Sequence, residues 1–284
     1  MGDKMKFFDL HCDTAFECFK DKKEFYENNL SVSGKKGEVF ENWHQIFAIW
    51  IKDDEKNPFL LYKNILNYFK KQKMSYNLTP YFSVEGGAIL ENDIDRLYAL
   101  KQDEIKIITL TWNGENNIAG GVNSEKGLTE FGKSVIDKMN ELGFICDLSH
   151  INRKSFYKAA ERAEKIIATH SNCYEICPHK RNLSDEQIKI IAEKNGLIGL
   201  CFYPEFLGEN VLEKIYENIF HICNKGYEGI IAMGSDFDGG KMDKKLNDVS
   251  KILNLYEFLE QKGLETELLN KIFYKNAYNY IAKK

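Results

Sequence analysis

Eight short apolar runs alternating with amphipathic segments predict an α/β protein, a closed (β/α)8 TIM barrel. We expect it to form a single domain over residues 1–284, with extra helices at its C-terminal end. Two observations favour closure over an open sheet. The strands read as near-continuous apolar runs, as in a parallel sheet covered on both faces. The glycine-rich phosphate loops that mark the open, doubly wound alternative are also missing from the sequence: it has no GxGxxG and no Walker A stretch.

In chain order, the predicted strands cover residues 7–10, 45–51, 79–84, 105–110, 144–148, 165–168, 197–202 and 229–233. Between them lie apolar residues at helical spacing, such as Leu60, Leu61, Ile65, Leu66 and Phe69, or Val135, Ile136, Met139 and Leu142. Thr79-Pro80 opens the third strand, where a proline is tolerated. Gly143 stops the helix over 128–142, and Asn195-Gly196 and Gly226 do the same before the seventh and eighth strands. Ser184-Asp-Glu-Gln187 reads as a capping box at the start of a helix. Beyond the eighth strand, residues 245–260 and 264–282 read as two helices packed on the barrel. No internal repeat and no Pro-, Gly- or Ser-rich linker interrupts this order.

Charge and composition narrow the function classes. With 43% apolar and 13% aromatic residues the chain can build a large core. Its 39 basic and 43 acidic residues are scattered, leaving no basic stripe for nucleic acid and no polybasic membrane anchor. The opening Met-Gly-Asp-Lys-Met-Lys lacks the apolar core of a secretory signal, and Lys6 breaks the myristoylation pattern. The longest apolar run, residues 46–51, is far short of a membrane span. Seven scattered cysteines without a C-x-x-C pair read as reduced, small buried apolar residues. The expectation is a soluble, cytoplasmic protein with no nucleic-acid or membrane partner.

Barrel enzymes carry their chemistry at the C-terminal ends of the strands. Here the first run ends on His11 and Asp13, which alternation along a strand would place on one face. The third ends on Glu85, followed by Gly86-Gly87. The fifth leads to His150, the sixth to His170, and the eighth to Asp236 within Gly-Ser-Asp-Phe-Asp-Gly. Three of the six histidines, with carboxylates at three more such positions, point to a shared metal site. His11, Asp13, Glu85, His150 and His170 are too many ligands for one tetrahedral zinc. Two zinc ions per chain (or other divalent metals) sharing Glu85 explain the count, and a metal-bridging hydroxide would be the nucleophile. Asp236, left over, suits the general acid and base. His44, His179 and His221 are read as surface or core-edge groups, and Asp238 as a supporting or loop-solvating group.

These motifs resemble the membrane (renal) dipeptidases of the amidohydrolase superfamily. The resemblance runs through Phe8-Asp-Leu-His-Cys-Asp-Thr14, Val84-Glu-Gly-Gly87, Asp147-Leu-Ser-His150, Thr169-His-Ser171 and Gly234-Ser-Asp-Phe-Asp-Gly239, covering nearly the whole chain. It implies a binuclear zinc dipeptidase acting on a small dipeptide substrate, with tolerance for a D-residue at the C-terminal position. His11 and Asp13 would hold one zinc, His150 and His170 the other, with Glu85 bridging. Arg181 matches the family arginine that grips the substrate carboxylate, and Tyr203 resembles a second substrate contact. The sequence departs from the pattern at Trp112, where members of the family carry a histidine that stabilises the oxyanion. We expect Trp112 to line the pocket, with zinc or a neighbour such as Asn113 supplying that stabilisation. This departure also keeps open another amidohydrolase activity, on an N-acyl amino acid, a lactam or a phosphoester. A catalytically silent metal-binding protein is the third reading. The resemblance is compatible with a homodimer.

Overall fold

The computed structural model describes residues 5–283. Part of the N-terminal stretch weighed above, residues 1–4, and Lys284 lie outside the described residues. Eight parallel strands pair in consecutive order and close, β8 returning to β1 through Asp9 and Met233. They are β1 (Lys6–Cys12), β2 (Asn42–Trp50), β3 (Leu78–Glu85), β4 (Ile105–Thr109), β5 (Ile145–Asp147), β6 (Ile166–Ala168), β7 (Leu197–Leu200) and β8 (Ile231–Met233). The helices are α1 (Thr14–Asp21), α2 (Pro58–Lys70), α3 (Arg96–Gln102), α4 (Glu130–Leu142), α5 (Arg153–Arg162), α6 (Asp185–Glu193), α7 (Pro204–Leu207), α8 (Val211–Cys223), α9 (Ile252–Gln261) and α10 (Thr266–Asn270). The expected (β/α)8 barrel is the observed one.

Alternation along the strands sorts the apolar residues into two cores. Phe8, Leu10, Ile46, Ile107, Ile145, Ile167, Leu197 and Ala232 form one cluster, filling the barrel. Residues of the opposite parity, such as Phe47, Ile49, Val84, Ile108 and Met233, pack outward beneath the helices. At β1 a bulge breaks the alternation. Asp9 pairs with Gln45 but Cys12 with Phe47, three steps against two, so one extra residue turns His11 inward beside Leu10.

Punctuation follows the sequence closely. Gly143 caps α4 in the left-handed region (φ 73), and Ser184 and Gln187 form both bonds of the capping box on α6. Asn195 rather than Gly196 takes the left-handed conformation after α6 (φ 51). Gly196 is there for space, since a Cβ would stand 2.3 Å from the Ile166 carbonyl oxygen.

The C-terminal helices differ from expectation. Residues 245–251 are not α-helical: Asp243 and Asp248 accept from the backbone N–H groups of Lys245 and Ser250, closing tight 3₁₀ turns before α9. After α10 the chain widens into π-helical turns, Lys271–Lys275 and Tyr278–Ala282. This places Tyr274 and Tyr278 against His44, whose ring also stacks on Phe8, and closes the N-terminal end of the barrel.

Candidate metal centre

Every carboxylate and histidine singled out at the strand ends reaches the opposite, C-terminal mouth, and all are at most 9% exposed. His11 lies within β1 and Asp13 just after it; Glu85 is the last residue of β3. His150, His170 and Asp236 follow β5, β6 and β8. His150 and Asp236 are held in left-handed backbone (φ 65 and 61), a conformation costly for such residues and concentrated at functional sites. The backbone N–H of Val122 donates to the His150 carbonyl at 2.9 Å, and that of Asp236 to the His11 carbonyl at 3.1 Å.

Glu85 stands in the middle. Its Oε1 is 2.8 Å from His150 Nε2 and 3.6 Å from His170 Nε2, while Oε2 is 3.5 Å from His11 Nε2. His11 Nε2 is in turn 3.5 Å from Asp13 Oδ2 and 3.9 Å from Asp236 Oδ1. At this mouth three groups have ligand atoms within 4.8 Å of one another: His11 with Asp13 and Glu85, Glu85 with His150 and His170, and His11 with His170 and Asp236.

The hydrogen-bond network decides which ring nitrogens carry protons. Thr169 Oγ1 donates to Asp147 Oδ2 at 2.6 Å, so its contact with His170 Nδ1 at 2.9 Å is an N–H donated to the hydroxyl. The Asn113 carbonyl oxygen accepts from His150 Nδ1 at 2.8 Å. Both Nε2 atoms are therefore bare, yet they face each other at 2.7 Å. Two lone pairs that close repel unless a cation lies between or beside them. Neither His11 nitrogen has a hydrogen-bond partner. Burial holds His150 and His170 well below the ordinary imidazole range. Burial would lower His11 too, but Glu85, Asp13 and Asp236 outweigh it and push it up to about 10. Burial also raises Glu85 far above a normal carboxylate and Asp236 to about 7. A buried set of bare imidazole nitrogens and crowded carboxylates fits a divalent metal centre.

Above the cluster lies a cavity of about 580 Å³ whose walls include Trp112, Tyr203 and Arg181. Arg181 is 4% exposed; Nη2 donates to the His170 carbonyl at 3.2 Å, and Nε is buried without a partner. It makes no salt bridge among the described residues, so it is not the surface ion pair of an ordinary arginine. Trp112 stands edge-on to Trp50 at 5.2 Å, and Tyr203 edge-on to Phe206 at 5.0 Å.

Several contributors escape the sequence reading. Asn113 orients His150 through its amide oxygen, which takes that oxygen out of the substrate-facing part envisaged for it. Asp147 and Thr169 fix His170 from below. His179, read as peripheral, lines the cavity and stacks on Phe206 at 4.8 Å. The Cys201 thiol, read as apolar filling, sits 3.5 Å from Asp236 Oδ2. Asp147 and Thr169 stand inside the sequence motifs, but their parts, like those of Asn113, His179 and Cys201, rest on contacts between segments distant in sequence. Asp238 receives Thr14 Oγ1 at 2.6 Å and the Ser31 N–H at 2.7 Å, tying the loop after β8 to the start of α1 and to the segment that follows α1. His44 and His221 keep their expected core-edge and surface places, His221 pairing with Asp185 at 2.7 Å.

The comparisons with known proteins agree with the barrel fold. A family model described as membrane dipeptidase, peptidase family M19, matches residues 44–283, a range that begins after β1. An uncharacterized protein in the pqqA 5′ region of Klebsiella pneumoniae is 31% identical over 209 residues, 68% of this chain and 77% of that protein. Among solved structures, the metallopeptidase dipeptidase AC superposes with a TM-score of 0.85 at 21% identity, covering 99% of both chains. A Rhodobacter sphaeroides metallopeptidase, liganded with a phosphinate mimic of the dipeptide L-Ala-D-Ala, gives 0.84 at 19% identity, again over 99% of both. Because the family match runs from β2 to the last helical turn, this chain belongs to the membrane dipeptidase family, peptidase family M19, and is a metallo-dipeptidase-type hydrolase.

Proposed function

We propose that the protein hydrolyses the peptide bond of free dipeptides with two divalent cations, zinc foremost, and accepts a D-residue at the C-terminal position. The observation that carries this reading is the meeting of two bare imidazole nitrogens against Glu85, in front of a buried arginine with a free N–H. His11 and Asp13 would hold one cation and His150 and His170 the other, with Glu85 offering one oxygen to each. Bound there, the cations would polarise the scissile carbonyl and acidify a water to near-neutral pKa.

The chain's own groups do the rest. Arg181 presents a guanidinium edge to the substrate's terminal carboxylate, a charge-assisted and directional contact. It therefore demands a free carboxylate one residue beyond the cut and excludes longer peptides. Asp236, close to His11 on the opposite side from β5, takes the proton of the attacking water and returns it to the leaving amine. Trp112 walls the cavity beside His150. A D-residue is supported by the dipeptide mimic held by the Rhodobacter sphaeroides neighbour.

The test is hydrolysis of paired L,L and L,D dipeptides by zinc-loaded protein, with a chelated control and metal analysis. Cleavage of dipeptides but not of tripeptides or amidated dipeptides, with about two metals per chain, is the expected result. Two bound metals without dipeptide cleavage would keep the centre and overturn the substrate. Arg181→Ala should raise KM roughly 10- to 100-fold and change kcat less, the pattern of a lost ground-state contact.

A further inference from the structure

We propose that the enzyme selects dipeptides whose N-terminal residue carries a large apolar, above all aromatic, side chain, and that Phe16, Trp50 and Trp112 form the surface that reads it. This rests on the dipeptide reading above and adds which dipeptides are taken.

The three rings form a continuous edge-to-face chain. Phe16 and Trp50 lie 5.0 Å apart at 86°, and Trp50 and Trp112 lie 5.2 Å apart at 72°. All three line the cavity and are only partly buried, so ring surface faces the open space. They come from α1, the end of β2 and the segment after β4. Trp50 is the register partner of Glu85 on the neighbouring strand, so the two side chains leave the sheet on the same face.

Barrel closure fixes where this wall stands relative to the substrate. With eight strands in consecutive order, β2 is four strands from β6 in either direction. Trp50 therefore stands across the mouth from Arg181, which follows β6, and the histidine–carboxylate cluster lies between them. A dipeptide has one residue on each side of its scissile bond. With its carboxylate on Arg181 and that bond over the cluster, its C-terminal residue lies toward Tyr203 and Phe206. Its N-terminal side chain then falls against the three rings.

The wall's chemistry sets the preference. An aromatic or branched apolar side chain gains edge-to-face and dispersion contacts there. The charges at its rim, Glu17 and Lys20, already pair with each other at 3.0 Å, and Lys20 Nζ stands 5.9 Å from the Phe16 ring. A basic substrate side chain would meet a cation in place, and an acidic one would meet Glu17 and Asp13.

The experiment compares Phe-Gly, Leu-Gly, Ala-Gly, Lys-Gly and Asp-Gly on the metal-loaded protein and on its Trp50→Ala and Phe16→Ala variants. We expect kcat/KM for Phe-Gly to exceed that for Ala-Gly, Lys-Gly and Asp-Gly by about 10-fold or more, the scale on which apolar pockets discriminate. That ratio should fall toward one in Trp50→Ala. A readout independent of turnover is available, because two of the three tryptophans lie in the wall. In the chelated wild-type protein, tryptophan fluorescence should respond to Phe-Gly at lower concentration than to Ala-Gly. Cleavage of Phe-Gly and Ala-Gly with equal kcat/KM and equal fluorescence titrations would overturn the selectivity and leave the dipeptidase reading standing. A preference that survives Trp50→Ala and Phe16→Ala would overturn the assignment to this wall. Cleavage of no dipeptide would overturn the dipeptidase reading and this inference with it.

Discussion

Asp236 is held by its surroundings more firmly than a free loop carboxylate would be. Its N–H donates to the His11 carbonyl at 3.1 Å, its backbone is left-handed, and the Cys201 thiol lies 3.5 Å from Oδ2. Asp236→Asn keeps the size and removes the capacity to carry a proton. It should leave the metal content unchanged and lower kcat by about 10²- to 10⁴-fold, the usual worth of a positioned acid or base. Metal content beside turnover checks this, and a metal-free variant would show that Asp236 is a ligand instead. Thr169 acts one bond further out. Its hydroxyl passes the Asp147 charge to His170 Nδ1 and so keeps Nε2 free. Thr169→Val should weaken metal binding by about 10- to 100-fold, as lost supports of ligating histidines do. Competition with a chelator measures it, and unchanged affinity would mean that packing alone sets the ring.

Elements bring these residues together through close backbone approaches. Gly199 on β7 and Gly234 after β8 both face the Thr169 carbonyl oxygen, which a Cβ would approach to 1.9 and 1.8 Å. Nothing larger than glycine lets the chain pass there, next to His170 and Asp236. The bulge in β1 does comparable service on the other side, turning His11 into the mouth. Helix ends are simpler. Ser184 caps α6 in both directions with Gln187, just after the loop that carries Arg181. Ser184→Ala should cost about 1 kcal/mol of stability, the usual worth of such a cap. The shift in the urea midpoint at unchanged slope measures it.

The whole molecule puts chemistry at one end of the barrel and a seal at the other. His44 belongs to the seal, 5% exposed, among Phe8, Tyr81, Tyr274 and Tyr278. Burial lowers its imidazole from the ordinary 6.5 to about 4. Above the unfolded value both states are neutral and its contribution is complete. As pH falls from 6.5 toward 4, the unfolded chain binds the proton first, so stability is lost across that window, by about 3 kcal/mol at most. The seal should weaken in mild acid. Urea midpoints at pH 7 and pH 4.5, compared with those of His44→Phe, isolate the effect; equal pH slopes would remove it. At this scale, too, no helix among the described residues is long and apolar enough to cross a membrane.

The sequence by itself determined the barrel, the order of its strands and the identity of the groups at its mouth. Apolar runs must be buried on both faces, and only a few positions at their ends carry imidazole or carboxylate. It also placed the caps at Gly143 and Ser184, because these depend on local backbone needs. Tertiary structure decided the rest. Simple alternation along residues 7–10 would send His11 outward with Phe7 and Asp9; pairing with β2 created the bulge that turns it in. Asn113, Thr169 and Asp147 became supports only when loops distant in sequence closed over one another. The C-terminal helices widened into π turns, with Tyr274 and Tyr278 against His44 beneath the barrel. Trp50 and Arg181 came to line one cavity only once the sheet closed, since opposition across a ring has no counterpart along a chain.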